Sequence, residues 1–438
     1  MYRRSFLFLV LASTIPCRLT SAESQWTQFR GSDGSGVASA IDLPTQWSED
    51  QNVLWKTPIV GVGWSSPVYA DNTAWITSAT KIAASEAERK TAAADSPIAD
   101  AIELASSISL WLTKIDLSSG QVLEQLKIAD VADPQKIHSL NSYASPTPVI
   151  GGEFIYCHFG DYGTFCVNRT TNEIVWRQRV ELDHSVGPGS SPVLYENLLI
   201  LTCDGLEAQY ITALDIANGE VVWRTDRPEI SASHAEFRKA FSTPLVISAA
   251  EGDQVVIPGA QWFVAYEPKT GDEIWRINHG RGFSNVPRPV FDGSLVYLCT
   301  GFMKGKLLAV DPNGRGDVTE SHVRWRVSKQ VPTMPSPVVS GQRIYTVNDA
   351  GVAQAIDVKD GQRLWKQRVG GKFSASPLLA DRKIYLCSHE GETTVIAAED
   401  SFREIASNQL EGQILASPVV VDSDLLIRTD KHLYRIGE

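Results

Sequence analysis

Residues 213–223 read ALDIANGEVVW, and this pattern carries the prediction of the fold. Its spacing, A-x-D-x-x-x-G-x-x-x-W, recurs in full at residues 355–365, and with Glu in the acidic place at residues 265–275. The Asp can accept hydrogen bonds from the N–H groups of a turn, and the Gly can take a positive φ. The Trp adds a large apolar plate with one polar N–H. The pattern predicts a hairpin whose second strand packs its indole on a neighbouring sheet.

Looser copies of this unit occur along the chain, although Glu124 and Ala406 stand in the Trp place of the first and seventh units. Coincidence at this spacing is a poor explanation, so we predict a purely structural role for the shared residues. They are Trp55, Trp176, Asp215, Gly219, Trp223, Trp275, Trp325, Asp357, Gly361 and Trp365.

A second signal precedes each unit, where a Pro follows a residue that is usually Ser or Thr and leads into an apolar run. The eight prolines are Pro67, Pro148, Pro192, Pro244, Pro289, Pro337, Pro377 and Pro418. Pro is tolerated at the first residue of a strand, because its missing N–H need not join the ladder. The interval of about fifty residues is typical of repeat arrays and propellers.

Each unit therefore reads as four strands. One such sheet cannot bury both of its faces, whereas eight packed around an axis can. The eighth unit ends after its third strand, and residues 52–58, with Trp55, supply the missing one. We predict an all-β, eight-bladed β-propeller of four-stranded antiparallel blades, closed by pairing an N-terminal strand with the C-terminal blade.

The first residues predict an exported protein. Residues 1–22 combine Arg3 and Arg4 with an apolar run at 5–15 and small residues before a cleavage site, which is typical of a signal peptide. The paired arginines leave the Sec and twin-arginine routes both open. Residues 23–438 form one propeller domain, predicted to be periplasmic or extracellular. No later apolar run reaches the length of a transmembrane segment.

Residues 79–110 interrupt the first blade with Ala-rich sequence. Ser96-Pro97 suits the start of a helix, and residues 98–108 have helical spacing. We expect a helical or mobile insertion within blade 1. A tolerated insertion and a partner-docking arm both remain open.

The charge excludes two classes of partner. The formal net charge is −11, and residues 1–22 hold three Arg and no acid, so the remaining chain is still more acidic. An acidic chain without a basic run disfavours nucleic acid and anionic lipid as partners.

Cys157 and Cys166 flank a turn-rich tetrapeptide at 160–163. A symmetric turn would set the two residues opposite each other, within disulfide reach, and two packed thiols are the alternative.

The repeat resembles the tryptophan-docking repeat of pyrroloquinoline-quinone (PQQ)-type propellers. The chain more closely resembles the exported PQQ-like propeller proteins of planctomycetes and related bacteria. The stretches that carry the resemblance are WTQFRG at 26–31, NSYASPTP at 141–148, GPGSSP at 187–192 and KAFSTP at 239–244.

The resemblance implies two opposed functions. PQQ dehydrogenases carry an adjacent Cys–Cys disulfide, a Ca²⁺ site and an Asp base, and this sequence has no adjacent Cys pair and no acidic cluster with Ca²⁺-type spacing. A similar ring occurs in the outer-membrane assembly lipoprotein, which binds protein partners and no cofactor. We expect no cofactor in this protein, and PQQ with calcium is the alternative.

Topology gathers polar residues at one mouth of the ring. In a four-stranded meander the loops between blades and the turns between second and third strands lie at the same end. This mouth is a candidate pocket for an anionic ligand, although loops also collect such residues without function. The candidate binding residues are His138, Asn141, His158, His184, His234, Arg238, His279, Arg281, Arg288 and His389.

No motif of metal-ligand or catalytic spacing occurs, so no metal site or reaction class is predicted. The sequence favours an exported, non-catalytic, monomeric scaffold that binds a protein or a small anionic ligand at one mouth. The alternative is a PQQ-dependent or other oxidoreductase with its site at the channel mouth.

Overall fold

The computed structural model describes residues 25–94, 96, 98–303 and 305–438. Eight four-stranded antiparallel sheets form a propeller, and we number them blades 1 to 8 in the chain order of their inner strands. The predicted all-β, eight-bladed fold is confirmed. The predicted signal peptide at 1–22 lies outside the described residues.

The strands occupy four positions within each blade. From blade 1 to blade 8, the inner strands are Val68–Ala70, Val149–Gly151, Val193–Tyr195, Leu245–Ala249, Val290–Phe291, Val338–Ser340, Leu378–Ala380 and Val419–Val421. In the same order, the second strands are Thr73–Ala83, Phe154–His158, Leu198–Asp204, Gly252–Pro258, Val296–Cys299, Arg343–Val347, Lys383–Cys387 and Asp424–Arg428. The third strands are Ala105–Asp116, Thr164–Asn168, Gln209–Asp215, Trp262–Tyr266, Leu307–Val310, Val352–Asp357, Glu392–Ala397 and His432–Ile436. The outer strands are Val122–Ala132, Ile174–Gln178, Val221–Asp226, Glu273–Asn278, Val323–Val327, Arg363–Arg368, Glu404–Gln409 and, in blade 8, Val53–Pro58.

Shorter elements decorate the ring. Val37–Ala38 runs parallel to the inner strand of blade 7, Gly316–Asp317 runs parallel to the outer strand of blade 4, and Ile102–Glu103 pairs with Ile137–His138. The helical elements are the α-helix Glu86–Ala93 and the 3₁₀ turns Ala99–Ala101, Gly160–Tyr162 and Ala235–Phe237. The described residues include no helix with the length and hydropathy needed to cross a bilayer.

Burial follows the position of a strand within its blade. All seven residues of Leu198–Asp204 are buried, because a second strand is covered on both faces by the neighbouring blades. In the outer strand Val221–Asp226 only Trp223 is buried, and Val221 and Val222 face solvent. The outer strand therefore contributes to the core mainly through its indole.

Five of the six repeat indoles dock on the turn of the next blade, and Trp275 Nε1 instead donates to Gln254 Oε1 of its own blade at 2.8 Å. Trp176 Nε1 donates to Ile216 O at 2.9 Å, and Trp325 Nε1 donates to Val358 O at 2.8 Å. In both cases the accepting carbonyl belongs to the residue that follows the repeat Asp. The repeat Gly of the same turn faces the indole ring. A Cβ on Gly219, whose φ is +76°, would lie 2.6 Å from the Trp176 ring, so both the backbone and the close approach require Gly at this position.

Two junctions lack this indole and are closed differently. Between blades 1 and 2, Lys114 Nζ donates to Arg169 O at 2.7 Å. Between blades 7 and 8, Trp47 from the N-terminal segment stacks on Tyr385 with 6.4 Å between ring centroids, and Trp47 N donates to Asn408 Oδ1 at 2.8 Å. Sequence analysis missed Trp47, because it lies outside every repeat.

The ring is closed as predicted. Val53–Pro58 pairs antiparallel with His432–Ile436, which sets Trp55 opposite Arg435 and Lys56 opposite Tyr434. Trp55 Nε1 then donates to Leu117 O of blade 1 at 2.8 Å. The first and last described segments of the ring thus share one sheet.

The residue before each Pro forms a hydroxyl girdle around the channel. Its members are Ser66, Thr147, Ser191, Thr243, Ser336, Ser376 and Ser417. In six junctions the N–H of one pre-proline residue donates to the hydroxyl in the next blade, at 2.9 to 3.0 Å. Blade 5 carries Arg288 at this place; its N–H donates to Ser336, while its side chain is free for another contact. The Ser-Pro repeat therefore joins neighbouring blades as well as starting strands.

The insertion in blade 1 differs from the expected helix at 98–108. The second and third strands of this blade continue past the ring as a long hairpin, Thr73–Ala83 with Ala105–Asp116. The only α-helix among the described residues is Glu86–Ala93 at its tip, where Ser85 and Glu88 form a reciprocal capping box. The helical prediction for 98–108 is wrong, because most of this segment pairs as strand and tertiary pairing outweighs local spacing.

Of the two alternatives for Cys157 and Cys166, the structure shows two packed thiols and no disulfide. The turn joining the two strands leaves His158 opposite Thr164, so Cys157 pairs with Phe165 and Cys166 with Tyr156. The offset of one residue sends the two thiols to opposite faces of the sheet. Burial raises the pKa of Cys157, and it raises that of Cys166 to about 12, so both are poorly reactive.

We therefore expect dithiothreitol to leave the unfolding midpoint unchanged. Alkylation with iodoacetamide in denaturant, without reductant, should label all five cysteines of the described chain. A midpoint that falls on reduction, or recovery of a linked peptide pair containing Cys157 and Cys166, would contradict the observed register.

Candidate functional site

The channel of the ring is crossed by residues 26–38, which we call the axial segment. Trp26 N donates to Tyr69 O in blade 1 at 3.1 Å, and Ile150 N in blade 2 donates to Thr27 O at 2.8 Å. At its other end, Leu379 N in blade 7 donates to Gly36 O at 2.9 Å. Thr27 contacts blade 2 and Arg30 contacts blade 6, which lie opposite each other in an eight-bladed ring, so the segment crosses the axis.

Two buried arginines hold this segment. Arg30 Nη2 donates to Ser35 O and to Pro337 O of blade 6, both at 2.6 Å. Arg288 Nε donates to Pro244 O at 3.0 Å, its Nη2 donates to Gln28 Oε1 at 3.0 Å, and its Nη1 donates to Phe29 O. The Arg288 side chain thus joins blades 4 and 5 to the axial segment.

Neither arginine forms an ion pair within the described chain. Burial lowers the pKa of both guanidinium groups to about 9, with a further lowering of Arg30 by Arg288, while Asp33 acts in the opposite direction on both. Both groups stay charged at neutral pH, and carbonyl oxygens rather than carboxylates offset the cost of their burial. The two guanidinium groups therefore bind main-chain carbonyl groups, which is the kind of contact that a peptide can provide.

The axial segment closes around these side chains through glycines. A Cβ on Gly34 would lie 2.5 Å from the Arg288 guanidinium, and a Cβ on Gly36 would lie 2.4 Å from that of Arg30. Both residues also have a φ of +75°. Larger residues at these places would push the arginines out of position.

The channel does not fit a quinone cofactor on the axis. A planar cofactor needs the space that Arg30, Arg288 and the axial segment fill. The described residues contain no group of three or more His, Cys, Asp or Glu placed to hold a metal ion. These observations disagree with PQQ chemistry at this place, so no step is derived through it.

The predicted mouth residues separate into several groups. His158 and His184 lie in a cavity of about 10 Å³, which has room for about one water molecule. His158 Nδ1 lies 2.8 Å from Thr164 Oγ1, whereas both ring nitrogens of His184 are buried without a described partner. Burial lowers the pKa of His158 to about 4 and that of His184 to about 3, so both are neutral at physiological pH.

A second group fixes loops near blades 2 to 4. Asn141 Nδ2 donates to Val186 O at 2.9 Å, and His138 Nδ1 accepts from Leu140 N at 3.0 Å. Arg238 Nε donates to Ala232 O at 2.8 Å, and the exposed His234 accepts from Glu236 N at 3.3 Å. Asn141 thus joins two neighbouring loops, whereas the other three side chains bind within their own loops.

The other two predicted histidines lie apart from these groups. His279 is buried against Phe263, with 4.3 Å between ring centroids, and its Nε2 lies 3.0 Å from Gly259 O. Burial lowers the pKa of His279 to about 4. His389 Nε2 lies 2.7 Å from Ser374 Oγ in blade 7. The predicted histidines thus have separate surroundings and share no common set of partners among the described residues.

The three predicted arginines also have separate surroundings. Arg288 lies in the channel on the axial segment, Arg238 is bound to a carbonyl, and only Arg281 of these three is exposed. The signal for Arg288 was present in the sequence, since it stands where the other seven units have Ser or Thr. Its role depended on Gln28 and Phe29 of the axial segment, which only the fold brings beside it.

An apolar patch at the same mouth escaped the sequence analysis. We call Phe237, Phe283, Phe302 and Met303 the mouth patch. Phe283 is buried and lies between the other rings, at 4.8 Å from Phe237 and 5.8 Å from Phe302 between centroids. The exposed fractions are 45% for Phe237, 60% for Phe302 and 65% for Met303. Phe302-Met303 occupies a turn between strands, where apolar residues need an explanation.

The fold and the repeat define a PQQ-repeat eight-bladed propeller, in agreement with the resemblance seen in the sequence. A family model described as outer membrane protein assembly factor BamB matches residues 64–225, 111–321 and 303–404. The chain belongs to this family. The predicted export is confirmed by this membership, since the family is named for the outer membrane.

Two relatives show how far the similarity extends. The assembly factor BamB of Burkholderia pseudomallei (strain K96243) is 23% identical over 320 residues, covering 65% of this chain and 81% of that protein. The assembly factor BamB of Vibrio cholerae serotype O1 (strain ATCC 39315 / El Tor Inaba N16961) is 24% identical over 336 residues, covering 66% and 79%.

Solved structures share the fold at low identity. BamB from Moraxella catarrhalis has a TM-score of 0.54 at 13% identity, covering 77% of this chain and 94% of that chain. A europium-containing methanol dehydrogenase has a TM-score of 0.62 at 10% identity, covering 92% and 89%. The same ring thus occurs in an assembly factor and in an enzyme, so function must be argued from the site.

Proposed function

We propose that the protein is an exported, non-catalytic scaffold that binds a protein partner at the mouth patch and acts in outer membrane assembly. The observation that carries the proposal is the contiguous exposure of Phe237, Phe302 and Met303. The relatives named as outer membrane protein assembly factors supply the process.

The chemistry of the patch suits a protein interface. Aromatic residues, Met and Arg are enriched where proteins bind one another, and large aromatic side chains carry much of the binding energy. The exposed Arg281 belongs to the loop that carries Phe283, so the apolar surface has a cationic neighbour.

The loops under the patch are held firmly. Phe283 and Phe302 form a β-bridge, and the buried Asn285 accepts a hydrogen bond from Gly301 N. The Asn285 Nδ2 group donates to Gly259 O at 2.7 Å. A partner therefore meets a preorganised surface, which reduces the entropy cost of binding.

No cofactor or small anionic ligand is part of this proposal. The axial segment fills the place over which a quinone would stand, and Arg238 and Arg288 are already bound to carbonyl oxygens. The oxidoreductase alternative has the shared fold in its favour but no observation of its own at the site.

The test is site-specific photo-crosslinking in the exporting cell. With a photo-reactive amino acid in place of Phe302, we expect one dominant envelope protein to be captured and identified by mass spectrometry. The same amino acid in place of Val222, which is 50% exposed on the outer strand of blade 3, is the matched control and should capture none.

Substitutions test whether capture of the partner is specific to the mouth patch or reflects non-specific adhesion of exposed apolar side chains. Phe302→Ser with Met303→Ser should weaken binding of the captured partner at least about tenfold, the loss expected for removing a hot spot worth about 1.4 kcal/mol or more. Val221→Ser with Val222→Ser should leave binding unchanged. Equal capture at both positions, or binding of PQQ with Ca²⁺ by the purified protein, would contradict the proposal.

A further inference from the structure

We propose that the channel is a peptide-binding site, which the chain's own axial segment occupies. The ligand class is a peptide that folds back on itself and contains an Arg followed by spaced glycines, as in Arg30-Gly31 and the later Gly34 and Gly36. This site lies on the axis and is independent of the mouth patch, so its failure would leave the proposed function intact.

Backbone pairing supplies the affinity at both ends of the segment. Trp26 exchanges two hydrogen bonds with Tyr69, at 3.1 and 2.9 Å. Val37–Ala38 adds a parallel strand to the inner edge of blade 7. Strand addition to a free sheet edge is a general mode of peptide recognition, since main-chain bonds form with almost any sequence.

The directions of these strands show how the segment enters. All inner strands of a propeller run the same way along the axis. Trp26 is antiparallel to the inner strand of blade 1, and Val37–Ala38 is parallel to that of blade 7. The segment therefore reverses inside the channel, and both ends leave by the mouth where the inner strands end. It can be inserted or withdrawn as a hairpin, without threading a chain end through the ring.

Specificity comes from Arg30, Arg288 and the two glycines of the segment that pack against their guanidinium groups. Arg30 of the peptide donates a hydrogen bond to the Pro337 carbonyl of blade 6. Arg288 of the ring donates hydrogen bonds to the Gln28 side chain and the Phe29 carbonyl. Side chains on Gly34 or Gly36 would collide with these guanidinium groups. The channel thus selects an Arg at one place and excludes side chains at two others.

The connection after the segment allows a clean test in the full chain. Ile41 is 66% exposed, and Ser39 and Asp42 are also exposed, so a recognition sequence for a specific protease can be inserted between Ser39 and Asp42. After cleavage the axial segment is held by non-covalent contacts alone. A fluorescent synthetic peptide of residues 25–38 is then added in excess.

We expect the labelled peptide to exchange into the cleaved protein at one per ring, as measured by anisotropy. Binding to the uncleaved protein should be at least tenfold weaker, because the tethered segment competes. Peptides carrying Arg30→Ala or Gly36→Val are the matched controls and should bind at least tenfold more weakly than the natural sequence. Failure of the natural peptide to exchange, or equal binding of the three peptides, would overturn the proposal.

A second variant covers the case in which the cleaved ring unfolds. Gly34→Val with Gly36→Val in the uncleaved chain should expel the axial segment. Added natural peptide should then raise the unfolding midpoint of this variant, and the Arg30→Ala peptide should not. No rise with the natural peptide would equally overturn the proposal.

Discussion

Replacing Trp55 by Ala is expected to lower the free energy of unfolding by about 3–5 kcal/mol, the range for removal of a large aromatic side chain from a packed site. The indole faces Gly120 of blade 1 and donates its N–H to Leu117 O at 2.8 Å. Its strand is the one that closes the ring, so the loss falls on the junction between the two ends of the chain. Urea denaturation followed by circular dichroism measures the change.

Trp111 provides a matched control of the same residue type. It lies half-buried in the blade 1 hairpin, where its Nε1 donates to Thr80 Oγ1 at 3.1 Å and no neighbouring blade receives the ring. Trp111→Ala should cost about 1 kcal/mol, as expected for a partly exposed contact. Equal losses of stability at the two positions would show that docking of the indole on the next blade does not stabilise the ring.

Lowering the pH from 7.5 to 5 is expected to remove about 6 kcal/mol of stability through three buried histidines. In the unfolded chain each imidazole has a pKa near 6.5. In the fold, burial lowers the pKa to about 4 for His158 and His279 and to about 3 for His184. Stability is therefore full above pH 7 and falls as the pH drops below 6.5. Each group contributes a loss of about 2 kcal/mol at pH 5.

Urea denaturation at both pH values measures this loss. Replacing His158 or His279 by Gln should reduce the difference between the two pH values by about a third each, whatever the variant costs at pH 7.5. Trp111→Ala, which changes stability without removing a titratable group, is the control and should leave the difference unchanged. A stability that stays flat between pH 7.5 and 5 would contradict the buried, neutral state of these groups.

The repeating part of the fold could be predicted because its signals are local. Asp215, Gly219 and Trp223 lie within nine residues of one another. Together they specify one hairpin and the indole that it packs on the neighbouring sheet. Repetition then implies a ring, and counting strands shows that the last blade needs residues 52–58. The failed predictions were also local ones. Residues 98–108 had helical spacing, but pairing with the neighbouring strand decided their structure.

The candidate site depended on contacts that no local pattern contains. Arg30 and Arg288 lie more than 250 residues apart in the sequence and are brought to the same channel by the fold, and the repeat shows only that Arg288 is an exception. Trp47 fills a junction whose own repeat lacks a Trp. The exposure of Phe302 and Met303 depends on which loops surround their turn. The alternation of apolar residues along the chain does not indicate which loops these are.

Spacing along the chain encodes strands and turns directly, so the all-β ring, its eight blades and its closing strand could be predicted from local patterns, and its export from the basic and apolar residues of 1–22. The folded molecule alone shows that the channel is filled, that the histidines are separate and neutral, and that an aromatic patch faces solvent. The physical reason is that desolvation and packing depend on everything surrounding a side chain, and in a closed ring those surroundings come from residues hundreds of positions apart.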